Sequence, residues 1–385
     1  MTIIIYEERP EQLYPLTNLV AQFSVRVGMM TFAEHTALFL RVREIGRVGR
    51  PMFGFKPVRP RAPVVYLSSR LLVTGKFALP GTDTVLQVGA DKAGLVKTAP
   101  PFPVTMEQMG DALMTVKRSR QVSGIWVNHP WDLIAHNAEI TGLQFSRRRR
   151  KTGGACRADV RGDRKNLFID KSARVHKQVF LDVTEGPVYI DAGAEVLPFT
   201  SIIGPSHIGS DTVIDRAKIA KSSIGPQCRI SGEVEACIFQ GYSNKHHEGF
   251  IGHSFVGEWV NLGALTTNSD LKNNYGPVRM IIGGREVDTG MTKLGCFIGD
   301  HAKLGIGTLI PTGAVVGSFV NFAAGGMMDK YTADFTWVVA GRHEMYDLDK
   351  AVTTARHVMH RRNVKMSCEY EQMIRSLHGS IRCRN

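Results

Sequence analysis

The sequence predicts two domains: an α/β domain, then a parallel β-helix that ends in a helical tail. Three observations carry this. Short apolar runs alternate with amphipathic stretches in the first part of the chain. A basic, glycine-containing segment follows at 146–165, and after it aliphatic residues recur every six positions. With 385 residues the chain is long enough for two domains, and a composition of 43% hydrophobic and 22% charged residues is that of a globular core-forming protein.

Over 1–145, the runs TIIIY (2–6), VVYL (64–67), TVLQV (84–88) and GIWV (124–127) read as short buried strands. Between them, 28–41 and 106–117 have the spacing of amphipathic helices, and the proline-rich stretch 50–63 reads as a loop. Alternating strands and helices suggest a parallel α/β sheet.

The segment 146–165 reads as a solvated linker. Residues 147–165 carry a net charge of +7 and residues 341–385 a net +4, out of +13 in all, so the rest of the chain is nearly neutral. No aromatics interleave with these charges, and no zinc-finger or RNP-like motif is present, so we expect no nucleic-acid partner. No run reaches the roughly 20 apolar residues of a membrane helix. The N-terminus lacks a basic region and a cleavage site, which reads as cytoplasmic. The six cysteines are scattered without a CxxC pair, as free thiols in a reducing compartment would be, and no metal site is expected.

From 166 to 327 a six-residue period dominates. Ile190, Val196, Ile202, Ile208 and Ile214 share one phase, which resets at Ile224 and Ile230, returns at Ile251, Val256 and Leu262 with one short step, and runs again through Ile298, Leu304, Ile310, Val316 and Phe322. The position four after each aliphatic is mostly small: Ala194, Thr200, Ser206, Thr212, Cys228. A helix cannot have period six, and strands alone would show period two. Short strands joined by tight turns, with one inward aliphatic per face and three hexads per coil, give this repeat. From Met328 to the C-terminus the chain reads as helical, with Leu348, Val352, Ala355 and Met359 on one stripe and Tyr370, Met373, Ile374 and Leu377 on another.

These hexads resemble the left-handed β-helix of the hexapeptide-repeat acyltransferases. Residues 247–267, HEGFIGHSFVGEWVNLGALTT, resemble the active-site coils of the bifunctional N-acetylglucosamine-1-phosphate uridyltransferase/glucosamine-1-phosphate acetyltransferase family. The domain order is the same, and Tyr14-Pro15-Leu16-Thr17, Val27-Gly28, Tyr66-Leu67-Ser68 and Pro130-Trp131-Asp132 look like a divergent subfamily with a shortened nucleotidyltransferase-like N-terminal domain. The resemblance is specific over about 185–325 and weak over 1–145.

What the resemblance implies is an acyl-CoA-dependent acyltransferase, with acetyl-CoA or another acyl-CoA as co-substrate and an amino sugar phosphate or sugar nucleotide as acceptor, working as a homotrimer. The family's base falls on His247, its substrate asparagine on Asn261, and its Gly-Ala pair, which meets the acyl-CoA, on Gly263 and Ala264. Phe250 stands where the family has a tyrosine, and Gly263-Ala264-Leu265 where it has Gly-Ala-Gly. The following Asn-Tyr matches Asp270-Leu271 without a gap or Asn274-Tyr275 with an insertion, and the second is favoured. These departures bear on the acceptor sugar.

Acyl transfer from a thioester needs a base, donors for the oxyanion and a slot for the carrier arm. His247 lies in 243–249 (SNKHHEG), a polar break in the hexads, and an imidazole titrates near neutral pH. His246 and His253 are its rivals, and Lys245 reads equally as a sugar-phosphate contact or a solvated charge. Backbone N–H groups around Gly263 and Ala264 are the expected oxyanion donors. The insertion 271–295 reads as a loop over the site or a surface excursion, with Arg279, Arg285 and Lys293 as phosphate contacts or plain surface charges.

In the N-terminal domain, the glycine-rich loop that would cradle a nucleoside triphosphate is replaced by Glu7-Glu8-Arg9-Pro10-Glu11-Gln12-Leu13, whose carboxylates repel phosphate. Two further readings stay open. One is sugar-1-phosphate nucleotidyl transfer in this domain, which would bring in Mg2+. The other is a non-catalytic scaffold binding a sugar nucleotide or a protein.

Overall fold

The computed structural model describes residues 2–56, 58–75, 78, 80–148, 153 and 157–382. Residues 149–152 of the basic run lie outside these, as do Cys156 and Cys383. The described residues form two units, one drawn from Met1–Leu13, Val20–Val25 and Met30–His129, the other from Tyr14–Leu19, Arg26–Met29 and Pro130–Asn385.

The first unit is an α/β layer. Its sheet runs Gly46–Val48, Thr2–Tyr6, Val64–Ser68, Asp91–Lys97, Thr84–Val88, Ser119–Gln121. The first three strands are parallel, as expected, but Asp91–Lys97 is antiparallel to both its neighbours, so the sheet is mixed. The cause is local. Only Gly89 and Ala90 join Thr84–Val88 to Asp91–Lys97, with Gly89 at φ 58°, and so short a link closes a hairpin where a parallel crossover needs a dozen residues or more. The sheet face carrying Ile4, Tyr6, Val64, Tyr66, Val85 and Leu95 packs on Met109 and Leu113 of a helix.

Two helices belong to this unit. α1 spans Phe32–Leu40, four residues later than the pattern suggested, because Thr31 caps it: Thr31 Oγ1 accepts the Glu34 N–H while Glu34 accepts the Thr31 N–H. α2, Met106–Thr115, falls where the sequence puts it.

The long continuous part of the second unit opens with α3, Pro130–Arg148, which the sequence reading did not find. Its buried stripe includes Asn137, Thr141 and Gln144, so apolar periodicity is weak even though the spacing is helical. The polar groups are matched instead: Asn137 Oδ1 accepts the Gly28 N–H at 2.9 Å and the Ser223 hydroxyl at 2.8 Å, and Gln144 Oε1 accepts the Met29 N–H at 2.6 Å. Arg147 and Arg148 therefore end a helix, where cations suit the dipole, before the basic run continues.

Next comes the left-handed parallel β-helix, of about ten turns. Its first face is a nine-stranded parallel sheet from Leu167–Ile169 to Tyr331–Thr332. A second face stacks, among others, Glu195–Val196, Asn244–Lys245, Asn261–Leu262, Lys303–Leu304 and Asn321–Phe322, and a third includes Val179–Asp182, Thr200–Ile203 and Phe250–Gly252. The two aliphatic series Ile190–Val196–Ile202–Ile208–Ile214 and Ile298–Leu304–Ile310–Val316–Phe322 all enter one core, none more than 4% exposed. Burial of each such side chain stabilises by about 1.5–3 kcal/mol. Ala194, Thr200, Ser206, Thr212 and Cys228, four positions on, are buried where the coil narrows.

The coils reach further in both directions than the repeat alone suggested. Asp159–Arg161 pairs with Val179–Asp182 inside the segment read as a linker. Met328 and Val338 join the same core, so the expected helical tail begins with more coil, Tyr331–Thr332 and Thr336–Val339, and with Arg342–Met345 folding back antiparallel. The helices start at α4, Leu348–His360, and α5, Cys368–Arg382, with Val352, Ala355 and Met359 of α4 and Met373 and Ile374 of α5 buried as predicted.

One corner of the β-helix carries an aromatic ladder. Tyr242, Trp259, His301, Phe319 and Phe335 hold φ between 54° and 61°, and successive rings stack with centroids 4.2 to 6.2 Å apart. Stacking of about 0.5–1.5 kcal/mol per pair offsets the strain of a left-handed backbone at a bulky residue. α5 packs here, with Tyr370 Oη 3.0 Å from His301 Nε2.

Candidate active site

His247 stands on an exposed turn between Asn244–Lys245 on the second face and Phe250–Gly252 on the third. Lys245 holds that turn from below. It falls six residues after Phe239 and six before Ile251, in the inward position of a hexad, and it pairs in register with Ile230. Its side chain is 2% exposed. The ammonium donates to the carbonyls of Ser231 at 2.7 Å and of His247 at 3.0 Å. Burial lowers its pKa to about 8. Lys245 is thus neither a solvated charge nor, in this conformation, a surface contact for sugar phosphate; it is a core lysine that fixes the backbone carrying His247.

The next coil continues the site. Glu248 O accepts the Leu265 N–H at 2.9 Å, and Ala264 O accepts the Gly307 N–H at 2.8 Å. Leu265 and Ile306 are 59% and 73% exposed, and Leu309 and Met327, paired in register, are exposed too. An apolar strip therefore runs from the His247 corner toward the C-terminal coils. Gly263 is needed for close coil packing, since a Cβ there would meet Gly305 C at 2.6 Å. Its N–H already donates to Leu304 O at 2.9 Å, so the expected role of that amide as an oxyanion donor is corrected: the ladder uses it.

Asn261 lies on the second face, where its Oδ1 accepts from Asn244 Nδ2 at 2.9 Å. Phe250 is half-buried and packs over Gly252, where any Cβ would collide with the ring. Asn274 and Tyr275 sit in a local turn of the insertion: Asn274 Oδ1 accepts the Gly276 N–H at 3.1 Å, Tyr275 N–H donates to Lys272 O at 2.9 Å, and Tyr275 is 71% exposed. No hydrogen bond ties these two to the His247 corner among the described residues. The insertion is a hairpin, Arg279–Ile282 against Arg285–Asp288.

Sequence reasoning missed a histidine–carboxylate pair. His253 Nδ1 is 2.8 Å from Asp270 Oδ2, and that hydrogen bond holds the Asp270 carboxyl below its usual range. His253 lines a cavity of about 480 Å3 with Lys221, Lys293 and the apolar Ile134, Ala135 and Ala138 of α3. The two residues are 17 apart, as are the paired Asn244 and Asn261, and that spacing of one coil was the available signal.

In the first unit, the segment after Thr2–Tyr6 begins with a carboxylate tied into the fold. Glu7 is buried, and its carboxylate accepts the backbone N–H groups of Gln22 at 2.8 Å and Arg50 at 2.7 Å and pairs with the Arg50 guanidinium at 2.9 Å. A buried, paired carboxylate thus stands directly after the first strand, where it would repel a phosphate. Among the described residues no group of three or more His, Cys, Asp or Glu is placed to hold a metal.

No family model matches the chain. It is 28% identical over 158 residues to a bifunctional sugar-1-phosphate nucleotidylyltransferase/acetyltransferase of Sulfurisphaera tokodaii, covering 38% of this chain and 37% of that protein. It is 26% identical over 243 residues to the bifunctional protein GlmU of Methanococcus aeolicus, covering 58% and 51%. This chain resembles the GlmU-like bifunctional proteins, at a divergent level. It is also 26% identical over 151 residues to the uncharacterized acetyltransferase YaiX of Escherichia coli, covering 38% of this chain and 66% of that one. The chain spans about a third to a half of the length of the two bifunctional relatives. No helix among the described residues is long and apolar enough to cross a membrane.

Proposed function

We propose that the second unit is an acyl-CoA-dependent acyltransferase that acylates an amino sugar phosphate or sugar nucleotide. One observation carries the reading: His247 is presented on an exposed turn, its own carbonyl pinned by buried Lys245, at the head of an apolar strip. A base on a rigidly supported turn beside an apolar slot suits attack of an amine on a thioester. In the proposed reaction His247 takes the proton of the attacking amine as nitrogen bonds to the thioester carbonyl carbon. The tetrahedral intermediate then collapses, the C–S bond breaks, and CoA leaves as the thiol with that proton. The strip Leu265–Ile306–Leu309–Met327 is the slot for the acyl-CoA arm, and Asn261 a contact for the acceptor.

Support comes from the similarity to named acetyltransferases and bifunctional transferases, and from the hexapeptide architecture. By the same resemblance we infer a cytoplasmic homotrimer in sugar-nucleotide or cell-envelope biosynthesis. Nucleotidyl transfer by the first unit is disfavoured by Glu7.

The test is incubation with acetyl-CoA and a panel of amino sugar phosphates, with mass spectrometry of both CoA and the sugar. Acceptor-dependent CoA release with an acetylated sugar is expected. A folded protein that acylates no acceptor from acetyl or longer donors would refute the reading.

A further inference from the structure

The second face of the β-helix is partly covered by α4, and a cavity of about 330 Å3 lies under the C-terminal end of that helix. Its lining combines the Tyr242–Trp259 stack, the hydrogen-bonded amides of Asn244 and Asn261, and three cations: Lys303 from the coils and Arg361 and Arg362 from the end of α4. A fourth cation, Arg229, neighbours Arg362; it donates to the carbonyls of Asp211 at 3.0 Å and Cys228 at 2.8 Å.

The charge here is uncompensated. No carboxylate within ion-pairing distance faces any of these four groups among the described residues. Burial, Arg229 and Arg361 together pull the Arg362 guanidinium below its usual range, and burial lowers Lys303 to about 7 with no acid opposing it. A helix C-terminus explains basic residues in its own last turn, but not Arg229 and Lys303 brought up to it from separate coils. Lys303 uses two donors, on Trp259 O at 2.5 Å and His301 O at 3.1 Å, which leaves one of its three N–H groups for a ligand.

We propose that this cavity is a phosphate site, in which Lys303, Arg361 and Arg362 grip the phosphate or diphosphate of a small organic ligand while Asn244 and Asn261 meet its hydroxyl groups. Guanidinium groups bind phosphate through paired N–H···O bonds, and an anion here would relieve the repulsion that Arg229 and Arg361 exert on Arg362. Through Asn261 the inference deepens the proposed function and takes its ligand class from it. Its test reads binding without turnover, so its failure and the failure of acyl transfer are separate results.

The experiment is isothermal titration calorimetry of the full chain at low and high salt with inorganic pyrophosphate, CoA, a nucleoside diphosphate and a hexosamine phosphate. Pyrophosphate and at least one organic phosphate are expected to bind, more weakly at high salt. Arg361→Gln/Arg362→Gln is expected to lower affinity about tenfold or more, and Lys303→Met to do the same if the double variant is unstable. Arg174→Gln, on an exposed pair with Glu195, is expected to bind as wild type. The organic phosphate that binds most tightly identifies the source of the phosphate. Absence of binding by every probe, or equal affinity in wild type and in folded cavity variants, overturns the site.

Discussion

The ammonium of Lys245 donates to the backbone carbonyl of His247, at 3.0 Å, from inside the β-helix. A residue in a core position thus supports the residue proposed to act on the surface two places later.

Lys245→Met keeps the length of the side chain and removes the charge. Two opposing effects nearly cancel in overall stability at pH 7: two carbonyls lose a donor at about 1 kcal/mol each, and an ammonium is no longer buried. The expected result is a melting temperature within a few degrees of wild type, with faster amide exchange at 246–249 and lower turnover. The pH dependence separates the two effects. Lys245 titrates near 8 when folded against 10.5 when free, so between these values the unfolded chain holds the extra proton. Wild-type stability therefore gains a rising component from pH 8 to 10.5, worth roughly 3 kcal/mol, and the variant lacks it. Urea titrations across that range check this.

Asp270→Asn weakens the bond to His253. Because the folded Asp270 titrates below its usual range, its contribution is present above the unfolded pKa and is lost as pH falls through the folded one. The variant is expected to be about 1–2 kcal/mol less stable at pH 7, with the difference vanishing in acid. Denaturation curves at neutral and acidic pH measure it.

Ile214 is fully buried in the β-helix core, paired in register with Ile230. Ile214→Ala is expected to cost about 2–5 kcal/mol, seen as an earlier guanidinium unfolding midpoint. A loss under 1 kcal/mol would contradict the inward placement of the hexads.

Glu7→Gln removes the carboxylate that pairs with the Arg50 guanidinium and weakens the hold on two backbone N–H groups. The expected loss is about 3 kcal/mol, confined to the first unit and read by urea unfolding followed at Trp126. Unchanged stability would mean that Glu7 is not what ties this segment into the fold.

Much of this was legible in the sequence, for reasons that particular residues make plain. The hexads Ile190 to Ile214 and Ile298 to Phe322 could be read because a solenoid repeats one local environment, so every coil votes for the same period. Lys245 was misread because the six-residue period announces itself only through aliphatics, and a lysine in phase looks like a break. α3 was missed because three of the eight residues of its buried stripe are polar and are satisfied by partners such as Gly28 and Ser223 that are distant in sequence. The His253–Asp270 pair and the Arg361–Arg362–Lys303 cavity join separate coils or a coil and a helix, and their register becomes visible only once the coils are stacked.

The most direct test of the proposed chemistry is acceptor-dependent CoA release by wild type and His247→Ala, measured side by side at saturating acetyl-CoA. The expected result is a fall in turnover of about 100-fold or more, with the melting temperature and oligomeric state unchanged. Turnover in His247→Ala equal to wild type would contradict the assignment of His247 as the base and shift attention to His253.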